Sequence, residues 1–307
     1  MVIGNCQADV YRDLLRTSPE VRVSDVRPVY EMTAEDVPGL HSVLARTDVL
    51  IVQPVRDGYR DLPLGHRQLA ARLPDSATVV LVPVLRYAGR HPYQVLIRPP
   101  RDRSLVPPLA SYHDVRTLMT AATGDPRLLD SAPTPAQARA SAAESVEALR
   151  VREQAHGTLT ASDLLEGLPR WHTINHPDRV TLATVFGRIV AQLPAGLLTE
   201  PPRVGDREPL GATRAPVEPA VERALGVAPD RPTTPDHPTT PDRPATTHSP
   251  SAADGAGARW GEWLVDGRPV PARQIVDAHL DWYGAAPDVV EEGLRRHARR
   301  IELLGLG

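Results

Sequence analysis

Two short runs, Val49-Leu-Ile-Val and Thr78-Val-Val-Leu-Val, are almost wholly apolar, and each gives way to a proline, at Pro54 and at Pro83. Runs of this kind are strands covered on both faces, and proline ends them because it cannot donate to a ladder. Helical patterns lie between and around them. Thr33-Ala-Glu-Asp offers a cap and an acidic first turn to a helix ending near Arg46, and Leu64 to Leu73 reads as the next helix. Strands alternating with helices predict an α/β fold, a mostly parallel sheet in three layers, with binding sites beyond the carboxyl ends of the strands. Val21 to Val23 and Val26 to Tyr30 read as a further extended stretch. Met1 to Gly4 reads as a first strand, short for a buried one, which points to an upstream start. Beyond Pro99 helical periodicity takes over, in roughly Ser111 to Thr123, Pro135 to Ala155, Ala161 to Leu168 and Pro177 to Leu193.

Aromatic residues make up only 4% of the 307, so the core must be built from Val, Leu, Ile and Ala. A net charge of -3 gives no chain-wide pull toward nucleic acid or anionic membrane. No apolar run approaches the roughly 18 to 20 residues that span a bilayer, and the first residues lack the layout of a signal peptide. The expected location is cytoplasmic. The 33 prolines crowd toward the last third, where PDRPTT, PDHPTT and PDRPAT recur between Pro229 and Thr246. A unit this short and polar cannot bury a core, which predicts a disordered Pro-rich linker. The expected organisation is an α/β domain over 1–199, the linker over 200–258, and a Trp-containing helical tail over 259–307. That tail holds Trp260, Trp263 and Trp282 and must dock on the main domain or on a second subunit to bury them. Its last helix, Val289 to Leu304, carries Arg295, Arg296, Arg299 and Arg300 as a solvated face.

The chain has one cysteine, Cys6, so no internal disulfide forms. A lone cysteine is most often a small buried hydrophobe. Its setting argues for more: Gly4-Asn5-Cys6-Gln7 sits where a strand turns into a helix, and the unpaired N–H groups of a helix start favour thiolate over thiol. Those groups, or the amides of Asn5 and Gln7, are candidate donors to an oxyanion. After the next strand comes Gln53-Pro-Val-Arg-Asp-Gly-Tyr-Arg60, in which Arg56, Asp57, Tyr59 and Arg60 suit phosphates or sugar hydroxyls. Pro83 to Pro92 follows a third strand and holds Arg86, Tyr87, Arg90 and His91. The fourth cluster, Trp171-His-Thr-Ile-Asn-His-Pro-Asp178, precedes a helix that Pro177 would begin. Because that helix starts after them, His172 and His176 make a weak metal pair, and His237 has no ligand partners nearby, so no metal is expected. A histidine used as the base for Cys6 is the better reading.

Taken in order, GNCQ, QPVRDGYR, PVLRYAGRHP and NHP resemble the WcbI-like polysaccharide biosynthesis acetyltransferases over roughly residues 1 to 195, and the Trp-rich tail resembles a segment some relatives carry. The resemblance implies an α/β fold of the SGNH-like or flavodoxin-like kind with helical C-terminal additions. It also implies coenzyme A binding, acetyl-CoA as acyl donor and O-acetylation of a capsular or related sugar, the carbohydrate acceptor. It places Cys6 and His176 in the catalytic centre, with Gln7, Arg56, Asp57, Tyr59 and His91 around it. Asn5, Arg60, Tyr87 and Asn175 complete the candidate binding set, and Asp57 is the candidate orienter of His176. The short first strand and the repeat-bearing linker depart from the family pattern. Two rivals stand beside this reading: an SGNH-like esterase, in which water is the acceptor, and a non-catalytic sugar- or nucleotide-binding module.

Overall fold

A computed structural model describes residues 1–98, 102, 105–200, 202–227 and 261–307. The six-residue repeats, His237 and Trp260 lie outside the described residues. The chain begins β1 (Val2–Ile3), α1 (Cys6–Arg16), α2 (Asp36–Leu44), β2 (Val49–Val52), α3 (His66–Ala70) and β3 (Thr78–Leu81). It continues β4 (Gln94–Val95), β5 (His113–Asp114), α4 (Val115–Thr123), α5 (Pro135–His156), α6 (Ser162–Glu166), β6 (Trp171–Thr173), β7 (His176–Pro177) and α7 (Arg179–Val190). The described remainder is α8 (Pro219–Leu225), β8 (Glu262–Val265), β9 (Arg268–Pro271), α9 (Ala272–Ala285) and α10 (Pro287–Leu303). Two compact units result, one of residues 1–89 with 142–212, the other of 90–141 with 213–307.

The first unit is built on a parallel three-stranded sheet in the order β1-β2-β3. β2 is central, and Leu50, Ile51 and Val52 are all buried, as its apolar run demands. β3 is an edge strand and alternates: Val80 is 1% exposed and Val79 39%. Ile3, Leu50 and Val52 pack with Leu40 and Leu44 of α2 and with Leu64 and Leu69. Each such side chain contributes about 1.5–3 kcal/mol on burial. α1 packs on β1 and on α7, where the Tyr11 and Phe186 rings stack with centroids 6.4 Å apart.

Three local expectations differ from the fold. Residues 21–30 form no strand; they pass the sheet as irregular chain, with Val29 N–H donating to Gly4 O. Pro177 does not open the last helix of this unit. It ends β7, and Asp178 caps α7 by accepting from the Thr181 N–H at 2.9 Å. Within the stretch assigned to the linker, α8 is a formed helix, with Pro219 in its first turn, Gly226 left-handed at its end and Val221 fully buried.

The second unit packs Tyr93, Val95, Ile97, Val115 and Leu118 against Tyr283, Val289, Ile301 and Leu304 of the tail. β8 and β9 form a hairpin whose Asp266 and Gly267 both have positive φ, the geometry of a type I′ turn. Trp263 of β8 lies against Tyr112, and Trp282 against His113 and Tyr283. Arg116, with 4% of its side chain exposed, pairs with Asp114 and Glu218, donates to Ser131 O, and sits 3.9 Å over the Tyr93 ring. Buried charge of this kind persists only when every hydrogen is taken up.

Candidate active site

β1 ends at Ile3, and the chain turns into α1 through Gly4 and Asn5. Asn5 is extended there, and its Oδ1 accepts the Gln7 N–H at 2.9 Å, capping the helix. A Cβ on Gly4 would lie 2.4 Å from Gln53 Oε1 and 2.7 Å from Ala8 Cβ, so only glycine lets the strand end so close to Gln53. Gln53 follows β2, and its Oε1 accepts the Asn5 N–H at 2.8 Å. Cys6 opens α1 and is half-buried.

Gln7 is fully buried, and its amide is engaged on all sides. Nε2 donates to Leu85 O at 2.8 Å and to Asn175 O at 2.9 Å. Oε1 accepts from Leu85 N–H at 3.0 Å and from Gln53 Nε2 at 3.3 Å. The amide is therefore unavailable to an oxyanion, whereas Asn5 Nδ2 has no hydrogen bond among the described residues.

Asn175 and His176 lie on the tight hairpin of β6 and β7. Tyr87 N–H donates to Ile174 O at 2.8 Å, and the Tyr87 ring, fully buried, meets Trp171 edge-on with centroids 5.4 Å apart. Tyr87 is thus a wall behind the hairpin. His176 is half-buried, one residue from the carbonyl that Gln7 grips. His172 is turned to other use: its Nε2 lies 3.1 Å from Glu208, which also accepts the Arg179 N–H. No group of three or more His, Cys, Asp or Glu that could hold a metal occurs among the described residues.

The loop after β2 is held at its base by His66, whose N–H and Nδ1 both reach Val55 O, and by Gln68 Oε1, which accepts from Gly58 and Gly65 N–H. Its tip is left-handed at Gly58, Arg60 and Asp61, with φ of 62°, 56° and 62°, a costly run for the two residues that carry side chains. Arg56, Asp57 and Arg60 are exposed and Tyr59 half-buried, while the Arg60 guanidinium donates to Tyr30 O. Asp57 packs against Gly65 and makes no hydrogen bond to His176.

Two phenols beside the turn escaped the sequence reading. Burial holds the Tyr11 hydroxyl well above the ordinary tyrosine range, and the negative charge of a Cys6 thiolate adds to it. Tyr30 is also raised, by burial first, then by Glu31, Cys6 and Asp9. Tyr30 was hidden in a stretch read as strand. His91 belongs to the second unit, where it is buried and lines a cleft with Tyr112, Arg116, Trp263 and His279.

The model for the polysaccharide biosynthesis enzyme WcbI matches residues 1–197. The chain belongs to the WcbI family of polysaccharide biosynthesis enzymes. A solved structure of WcbI, described as a novel polysaccharide biosynthesis enzyme in its native form without a disulfide between coenzyme A and one of its cysteines, shares the fold. Its TM-score is 0.71 at 16% identity, covering 98% of this chain and 95% of that one. No curated protein matches. No helix among the described residues is long and apolar enough to cross a membrane.

Proposed function

We propose that this member of the WcbI family is a coenzyme A-dependent acyltransferase that acylates a carbohydrate hydroxyl, with Cys6 and His176 as its reacting pair. The observation that carries the reading is the Gln7 amide, which ties the turn bearing Cys6 to the carbonyl next to His176. The related WcbI structure, a native protein without a disulfide between coenzyme A and a cysteine, supports a coenzyme A donor. The exposed Arg56 and Arg60, on a loop held in one shape, suit its phosphates.

In this mechanism the Cys6 sulfur, favoured as thiolate at the start of α1, attacks the thioester carbonyl. The oxyanion takes hydrogen bonds from Asn5 Nδ2. Collapse expels the coenzyme A thiolate, which takes the proton of the His176 imidazolium, and leaves a thioester on Cys6 beside a neutral imidazole. His176 then takes the proton of the sugar hydroxyl as its oxygen attacks, and the second collapse releases the Cys6 thiolate and the ester. In a direct route His176 does the same work on the hydroxyl while Cys6 places the donor, with no acyl-enzyme.

Calorimetry with coenzyme A and acetyl-CoA tests the donor, and intact-mass analysis of wild type and Cys6→Ser after acetyl-CoA tests the route. Binding with an acetyl adduct lost in the variant supports the thioester. Binding without an adduct selects direct transfer, and absence of binding to either ligand refutes the reading in favour of an esterase or a binding module.

A further inference from the structure

We propose that Gln7 is a positioning residue: its side-chain amide fixes the Asn175–His176 backbone against the Cys6 turn and so sets the coupling between thiol and imidazole. This rests on the reading of Cys6 and His176 as the reacting pair.

A primary amide offers two N–H donors and a carbonyl oxygen with two acceptor positions. All four are engaged in Gln7, at 2.8, 2.9, 3.0 and 3.3 Å, in a place with no solvent exposure. The two bonds to Leu85 use both its N–H and its C=O, so the side chain acts on that residue as a neighbouring strand would. The second Nε2 hydrogen reaches Asn175 O in the hairpin turn. The second acceptor position takes Gln53, whose own Oε1 holds Asn5. One buried group thereby joins the segments that follow all three strands to the hairpin.

The leverage is short. Cys6 precedes Gln7 by one residue, and His176 follows Asn175 by one. A carboxylate at position 7 would face two carbonyl oxygens with no hydrogen to give them. An apolar side chain would strand two carbonyls, an N–H and an amide where water does not reach. Either change releases the hairpin from the turn, and the imidazole with it.

Cys6 is the sole cysteine, so the rate of iodoacetamide alkylation against pH reads its thiolate alone. The measurement takes wild type, His176→Ala, Gln7→Met and the double variant. His176→Ala is expected to raise the midpoint by about one pH unit, because a thiolate loses its cationic neighbour. Gln7→Met should raise it to a similar extent, and the double variant should match the single ones, since the coupling is then already lost. A Gln7→Met protein that melts earlier but keeps the wild-type midpoint, where His176→Ala shifts it, makes Gln7 mere packing and overturns the inference. A midpoint unmoved by His176→Ala refutes the pairing of Cys6 with His176 itself. If Gln7→Met does not fold, Gln7→Asn serves, because an amide one methylene shorter stays polar in the buried site but cannot reach both Leu85 and Asn175. A smaller upward shift supports the assignment, and no shift overturns it.

Discussion

The loop bearing Arg56, Asp57, Tyr59 and Arg60 can be displaced without altering any of its own side chains, by Gly65→Ala. The new Cβ would fall 2.1 Å from Asp57 Oδ1, 2.5 Å from Asp57 Cα and 2.8 Å from Asp57 N. The carboxylate can swing aside; the backbone cannot, and ordinary carbon contacts need about 3.5 Å or more, so the loop must retreat by about 1 Å. His66 and Gln68 resist that retreat through bonds of 2.7 to 3.1 Å. Stretching two of them at 0.5–1.5 kcal/mol each, within an overpacking cost of 1–3, predicts a stability loss of about 2 kcal/mol. If Arg56 holds a phosphate, the same displacement forfeits one charge-assisted hydrogen bond and weakens coenzyme A binding roughly 10- to 100-fold. Urea unfolding and calorimetry with coenzyme A measure the two effects, and Cys6 alkylation should keep its wild-type profile. A variant that loses stability yet binds coenzyme A like wild type refutes the role given to the loop. One that loses neither shows that the loop yields freely, contrary to the clash.

Asn5→Asp keeps the cap on Gln7 N–H and removes the Nδ2 donor, so turnover of acetyl-CoA should fall by about 10²–10³ with little change in melting temperature; an active variant rules out Asn5 as the oxyanion donor. Arg116→Met leaves Asp114 and Glu218 facing each other and should cost about 3–5 kcal/mol in urea unfolding, and a loss under about 1 kcal/mol refutes the buried network as a stabilising element. His113 is pushed from 6.5 down to about 3 by burial, with His279 and His297 adding to it. The unfolded chain therefore binds that proton first, and stability drops as pH falls from about 6.5 toward 3, by up to about 1.4 kcal/mol per pH unit. His113→Phe should flatten that limb in urea midpoints taken between pH 7 and 4, and an unchanged slope refutes the assignment.

Periodicity and punctuation made β2, β3, α2, α5 and α10 readable in the sequence, because each buries a pattern that only one kind of element satisfies. The turn at Gly4-Asn5-Cys6-Gln7 was readable for the same reason, a strand meeting a helix within four residues. What lies between those elements was not. Residues 21–30 have strand-like composition but build no ladder, because the outer edge of β1 beside them is only two residues long and Val29 N–H bonds to Gly4 O just past its end. The hairpin at Trp171–Pro177 is too short for alternation to show, and its proline resembled a helix start. Gln7 and Asn5 looked alike as amides beside a thiol. Only three-dimensional contact with Leu85 and Asn175 separates the saturated one from the one with a donor in hand.

The composition of the second unit has a consequence for synthesis. Tyr93, Ile97 and Leu118 emerge from the ribosome well before Tyr283, Val289 and Ile301, which cover them. Leu118 and Ile301 are roughly 180 residues apart, so at 5–20 residues per second the first half of that core waits about 10 to 40 s for its other half. During that interval an apolar surface is open to chaperones and to aggregation. A chain stopped at residue 197, where the family match ends, would never cover it.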